Sequence, residues 1–108
     1  MTSIRPASHD TIRAVLWQGD IDRAERMLTE SLEWFRRSHA MRGPQFSLSL
    51  LGWVARLRGD MVLSASRLRE GLQLSRDFGD RLGTVRCLDW LAETAVAWHQ
   101  GSVTFAVI

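Results

Sequence analysis

The sequence predicts an all-α fold: antiparallel helix pairs stacked as an α-solenoid, about two repeats plus a leading half repeat. Three observations predict it. The first is a recurring turn, Gly19-Asp20 and Gly59-Asp60, with a weaker copy at Gly101-Ser102. A Gly just past a helix end takes the left-handed conformation without steric penalty, and an Asp or Ser after it accepts from the free N–H groups of the next helix. The second is the spacing, 40 residues from Gly19 to Gly59 and 42 from Gly59 to Gly101. A period in that range marks a helical repeat. The third is helical periodicity of the apolar residues between the turns.

Residues 1–8 read as a flexible tail containing Pro6 and ending in Ser8, the cap of a first helix from His9 to Gln18. Ile12, Val15 and Leu16 share one face of it. The second helix runs from about Ile21 to Arg37 with a stripe of Ile21, Ala24, Leu28, Leu32 and Phe35. Its opposite face is charged, and Asp22–Arg26 is a candidate pair four residues apart. Ser38 to Gly43 is a turn, and Pro44 suits the first position of a third helix ending near Arg58. That helix is expected to bury Leu50, Leu51, Val54 and Leu57, with Phe46 as a further candidate.

The fourth helix, about Met61 to Asp77, repeats the second at an offset of 40: Ala24 maps to Ser64, Leu28 to Leu68, Ser31 to Gly71 and Leu32 to Leu72. Small residues at matching positions predict close helix approach. Gly79 ends this helix and Asp80 caps the fifth, about Arg81 to Gln100. Its expected apolar set is Leu82, Val85, Leu88, Leu91, Ala92, Ala95 and Val96, with Trp98 near the end. Residues 102–108 then read as the truncated start of a third repeat. They lack a polar face, and such a segment is sticky if exposed.

The totals agree with one domain spanning residues 1–108. Hydrophobic residues make up 45% and charged residues 24%, ordinary values for a globular domain, and a net charge of +2 gives no general pull toward nucleic acid or membrane. All 14 cations are Arg. The single Cys87 permits no internal disulfide and fits a reducing cytoplasm, the expected location. No leader or membrane span is read from the chain.

Gln18-Gly19-Asp20 followed by Arg23-Ala24-Glu25 and Leu28-Thr29-Glu30-Ser31-Leu32 resembles the tetratricopeptide-like repeats of LuxR-type, ATPase-containing bacterial transcriptional regulators. So do Leu50-Leu51-Gly52 through Gly59-Asp60 and Phe78-Gly79-Asp80-Arg81-Leu82-Gly83. The segment Cys87-Leu88-Asp89-Trp90-Leu91-Ala92 with Gln100-Gly101 is similar to the last repeats before the DNA-binding domain of that group. The resemblance covers about Leu16 to Gly101. It implies a right-handed superhelix that senses an inducer or binds a protein partner, and a role in transcription regulation as a fragment or stand-alone relative. The tail Val103 to Ile108 departs from the polar helix that the family has there.

Catalytic and metal chemistry are not expected. His9, His39, His99 and Cys87 include no short-spaced ligand pair, so neither a metal nor a cofactor is implied. Cys87 has no base placed beside it and reads as a small buried residue of the fifth helix. No Gly-Lys-Ser/Thr or G-x-G-x-x-G phosphate loop occurs. The Arg pairs Arg36/Arg37, Arg56/Arg58 and Arg67/Arg69 lie among acidic residues and read as a solvated face, so no nucleic-acid partner is expected. The five Trp are many for this length. Trp17, Trp53, Trp90 and Trp98 read as lining the inner or packing side, and Trp34 lies beside the core stripe. Trp34 and Trp90, outside the main stripes, are the candidate interface anchors. Val103, Phe105, Val107 and Ile108 are the candidates for self-association as a homodimer through the C-terminal end. The expected function is a non-enzymatic protein-interaction or scaffold module. A small-molecule inducer-sensing domain is the alternative.

Overall fold

The computed structural model describes residues 7–39 and 42–107, and for residues 101–107 the backbone course alone. Five α-helices follow one another: α1 (His9–Trp17), α2 (Ile21–Arg37), α3 (Pro44–Leu57), α4 (Met61–Asp77) and α5 (Arg81–Val107). No strand occurs among the described residues.

The Gly-Asp turns are built alike. After α1, the Gly19 N–H donates to the Leu16 carbonyl and the Asp20 N–H to the Val15 carbonyl; the turns at Gly59-Asp60 and Gly79-Asp80 repeat the pattern. These paired bonds close the last turn of the helix with carbonyls that would otherwise lack partners. Gly19 and Gly59 hold φ at 84° and 83°, a region that any residue with a Cβ enters only at a cost. Asp Oδ1 then accepts from the N–H three residues on, at Arg23 (3.2 Å), Leu63 (3.0 Å) and Gly83 (2.9 Å). Each cap contributes about 1 kcal/mol. The α2–α3 link differs: Gly43 supplies no side-chain cap, and its N–H donates to Gln45 Oε1 at 2.9 Å.

The helices pack in two rows. His9 of α1 reaches Phe46 of α3, and Trp53 of α3 stacks on Trp90 of α5, so α1, α3 and α5 form one row. Arg36 of α2 pairs with Glu70 of α4 in the other. Ile12, Ala24, Leu28, Leu48, Val54 and Leu68 are fully buried between the rows. The larger of these contribute about 1.5–3 kcal/mol each. Small residues bring the helices close at the crossings. Gly71, aligned with Ser31, lies against the Gln45 carbonyl, and Gly52 lies under Leu68. Two buried hydroxyl pairs bridge the rows: Ser31–Ser47 (3.3 Å) and Ser64–Thr94 (3.0 Å).

Several expectations are corrected. The α5 helix continues through Gly101 to Val107, so the third turn and a new helix at Ser102 do not form. Gly inside a helix costs about 1 kcal/mol against Ala, and no Pro follows to stop the helix. Leu57 is 47% exposed because α3 ends there, and Leu48 takes the core position instead. Asp22 pairs with Arg58, not with Arg26, and Arg58 also meets Glu25 at 3.0 Å, which ties α2 to the end of α3. Trp17 is 89% exposed, and Trp98 and His99 are also exposed. Among the described side chains of α5 the buried ones are Gly83, Cys87 and Thr94, while Leu82, Val85, Leu88, Ala92, Ala95 and Val96 are exposed.

Candidate functional site

Two surfaces stand out, and both involve α5. Apolar residues occur on every side of this helix, interspersed with Arg81, Arg86, Asp89 and Glu93. One side packs on α3 and α4. The other presents Leu82, Val85, Leu88, Ala92 and Val96, spaced three, three, four and four residues apart, which makes a single stripe. Leu82 is 78% exposed and Val85 56%. Arg81 and Asp89 lie within the stripe, both exposed and both without an ion pair among the described residues. Beside it, a cleft of about 540 Å³ opens between α4 and α5, lined by Met61, Ala65, Leu91, Ala95 and Trp98 together with Arg69.

The second surface crosses α1, α3 and α5. The His9 ring lies 4.9 Å from Phe46 and 6.2 Å from Phe35. The Arg86 guanidinium lies 5.0 Å from the centre of Phe46 and 6.0 Å from that of Trp90, a cation–π arrangement on two rings. Trp90 in turn stacks on Trp53 at 5.8 Å and 19°. Beyond the stack, Arg56 of α3 pairs with Glu93 of α5 at 3.1 Å. Burial, then the charge of Arg13, disfavours the charged form of Arg86; Asp80 opposes this more weakly. His9 is held below its ordinary pKa by burial, then by Arg13 and Arg86, with Asp10 pulling the other way.

The predicted anchors are dispersed. Trp90 is half-buried and belongs to the α3/α5 stack. Trp34, also half-buried, meets Phe35 edge-on at 5.3 Å. The side chains of Val103, Phe105 and Val107, and all of Ile108, lie outside the described residues. Sequence reasoning missed His9, Phe46 and Arg86 as a group. The available signal was that Phe46 and Arg86 stand 40 residues apart, the same offset as between Gly19 and Gly59. Cys87 is fully buried, and burial pushes its thiol up, which suits packing and not nucleophilic attack. Among the described residues, no group of three His, Cys, Asp or Glu is placed to hold a metal ion, and no helix is long and apolar enough to cross a membrane. Comparison with family models, curated proteins and solved structures finds no match for this chain.

Proposed function

We propose that the chain is a non-catalytic interaction module that pairs with a second copy of itself through the outward face of α5. The exposed stripe Leu82, Val85, Leu88, Ala92 and Val96 carries this reading. Monomeric proteins seldom leave a contiguous apolar face uncovered. Charge supports a second copy as the cover. In an antiparallel crossing centred on Val85, Arg81 and Asp89 stand four residues to either side, so each Arg81 meets the other copy's Asp89. A two-fold interface makes that pair twice.

Light scattering after size exclusion tests the proposal. The expected mass is twice the 12.3 kDa of one chain. Asp89→Arg gives monomer, and Arg81→Asp in the same chain restores the dimer. A monomeric native chain, or a dimer indifferent to both changes, overturns it. Deleting Ser102 to Ile108 separates this face from the C-terminal end as the interface: a dimer that persists supports the outward face of α5, and a monomer assigns self-association to the tail.

The recurring turns, 40 residues apart from Gly19 to Gly59, support tetratricopeptide-like repeats stacked as a solenoid. On the motifs quoted above we read the chain as a relative of the sensory repeat region of LuxR-type regulators. The α4/α5 cleft favours a second reading, an inducer-sensing domain, because its volume lies in the range of small-molecule sites. Quenching of Trp98 fluorescence by a metabolite, lost in Trp98→Phe, is its test.

A further inference from the structure

We propose that the cleft between α4 and α5 binds a slender apolar monocarboxylate, its head group on Arg69 and its chain running toward Trp98. This rests on the second reading above, a ligand site in that cleft, and adds the chemistry of the occupant. The shape of the cleft follows from the pairing of the two helices. The Ser64 hydroxyl meets that of Thr94 at 3.0 Å, and Gly71 lies against Cys87 Sγ, so antiparallel α4 and α5 pass each other in one fixed register. Met61, Ala65 and Arg69 follow one another four residues apart along α4, and Leu91, Ala95 and His99 do so along α5. In that register Ala65 faces Ala95, Arg69 lies toward Leu91, and Met61 lies toward Trp98. Two alanines facing each other leave a gap at the middle of the seam, and the cleft of about 540 Å³ occupies it. Eight residues of helix make it about 12 Å long.

The polar groups of the lining decide the class of occupant. Thr94 lies in the lining between the two ends, and its hydroxyl is already engaged: it donates to the Trp90 carbonyl at 2.8 Å and meets Ser64 Oγ. Around it Met61, Ala65, Leu91 and Ala95 offer no hydrogen bond from their side chains. The middle of an occupant must therefore be apolar, since hydroxyls turned to this wall, as in a sugar, would go unpaired. Arg69 stands at one end with no ion pair or hydrogen bond among the described residues. Glu70, its neighbour in sequence, is taken by Arg36, and Glu93, on the facing helix, by Arg56. A guanidinium is charged at every working pH and offers a fork that a carboxylate accepts through two parallel bonds. Trp98 supplies aromatic surface at the other end. A fixed cation at one end and an apolar wall along the rest match an anion with a hydrocarbon tail.

Calorimetric titration of the full chain tests the site, with octanoate as the probe and octanamide, of the same length and without charge, as the control. Octanoate is expected to bind about tenfold tighter than octanamide, the gain that a charge-assisted hydrogen bond supplies. Arg69→Gln, an exposed change, is expected to weaken octanoate about tenfold and to leave octanamide as it was. Ala95→Leu fills the middle of the cleft from an exposed position and is expected to abolish binding of both. Equal affinity for the two compounds, lost for both in Ala95→Leu, overturns the anion assignment and leaves the cleft standing as a ligand site. So does an Arg69→Gln chain that keeps its preference for octanoate. Binding of neither compound at millimolar concentration overturns the assignment and the ligand-site reading together. Octanoate binding that survives Ala95→Leu puts the probe outside the cleft and also overturns the assignment.

Discussion

Replacing Gly52 by Ala tests how closely α3 and α4 approach. A Cβ at this position would stand 2.6 Å from Leu68 Cγ, 2.9 Å from its Cδ2 and 3.2 Å from the Ser64 carbonyl oxygen. Carbon atoms in ordinary contact are about 3.5–4.0 Å apart, so Leu68 must retreat by roughly 1 Å. Leu68 is fully buried, and the Ser64 carbonyl belongs to the backbone of α4, so neither yields toward solvent. Overpacking of this kind costs about 1–3 kcal/mol, and two crowded neighbours place Gly52 at the upper end. The better helix propensity of Ala returns about 1 kcal/mol. The net loss is about 2 kcal/mol, a fall of roughly 10 °C in melting temperature for a domain of this size. Gly71→Ala is the internal control. Its nearest atoms lie at 3.3 Å and 3.4 Å, so the crowding and the propensity gain offset. Its stability stays within about 0.5 kcal/mol of the native chain. Urea unfolding followed by circular dichroism, with the slope checked for constancy, reads both. A Gly52→Ala chain as stable as the native one would refute the close crossing. Equal losses at the two sites would show that spacing is not what separates them.

His9 gives the chain a pH dependence of known sign. Its folded pKa lies below the ordinary 6.5, first through burial and then through Arg13 and Arg86, against the pull of Asp10. The unfolded chain therefore takes up the proton first, and stability present above about pH 6.5 declines as the pH falls through that value. His9→Phe is expected to flatten the stability profile between about pH 7.5 and 5.5; a profile of unchanged slope would assign the titration to another group. Cys87, fully buried with its thiol pushed up by burial, is expected to resist a thiol reagent in the folded chain and to react completely in urea. Rapid labelling of the folded protein would contradict its placement against Gly71.

The bounds of α2 and α4 were legible because strong caps and a charged opposite face leave one reading of each. The α5 helix was not. Its apolar residues surround the axis, so periodicity carries no direction. The side that packs is chosen by Gly83, Cys87 and Thr94, small enough to approach α3 and α4 closely, while Leu82 and Val85 remain outside. Gly101 illustrates a related limit. The turns at Gly19-Asp20 and Gly59-Asp60, 40 residues apart, set the expectation of a third at Gly101, but Gly101 is followed by Ser and not Asp, and the helix continues. The charged and aromatic face was hidden for another reason. His9, Phe46 and Arg86 come from three helices, and which residues of different helices touch is decided by packing that a linear pattern does not encode.

The buried hydroxyl pairs have a mechanical consequence. Helices packed through small residues slide past one another at little cost, because their surfaces are smooth. A slide by one turn, about 5.4 Å, would separate Ser31 from Ser47 and Ser64 from Thr94 and strand the three serine hydroxyls in the interior, while Thr94 keeps its bond to the Trp90 carbonyl. At the α3/α4 seam, Leu68 seated on Gly52 acts as a steric detent. The three seams from α2 to α5 are thus each pinned in register, and a force applied at α5 reaches α2 as rotation of a stiff unit and not as slippage.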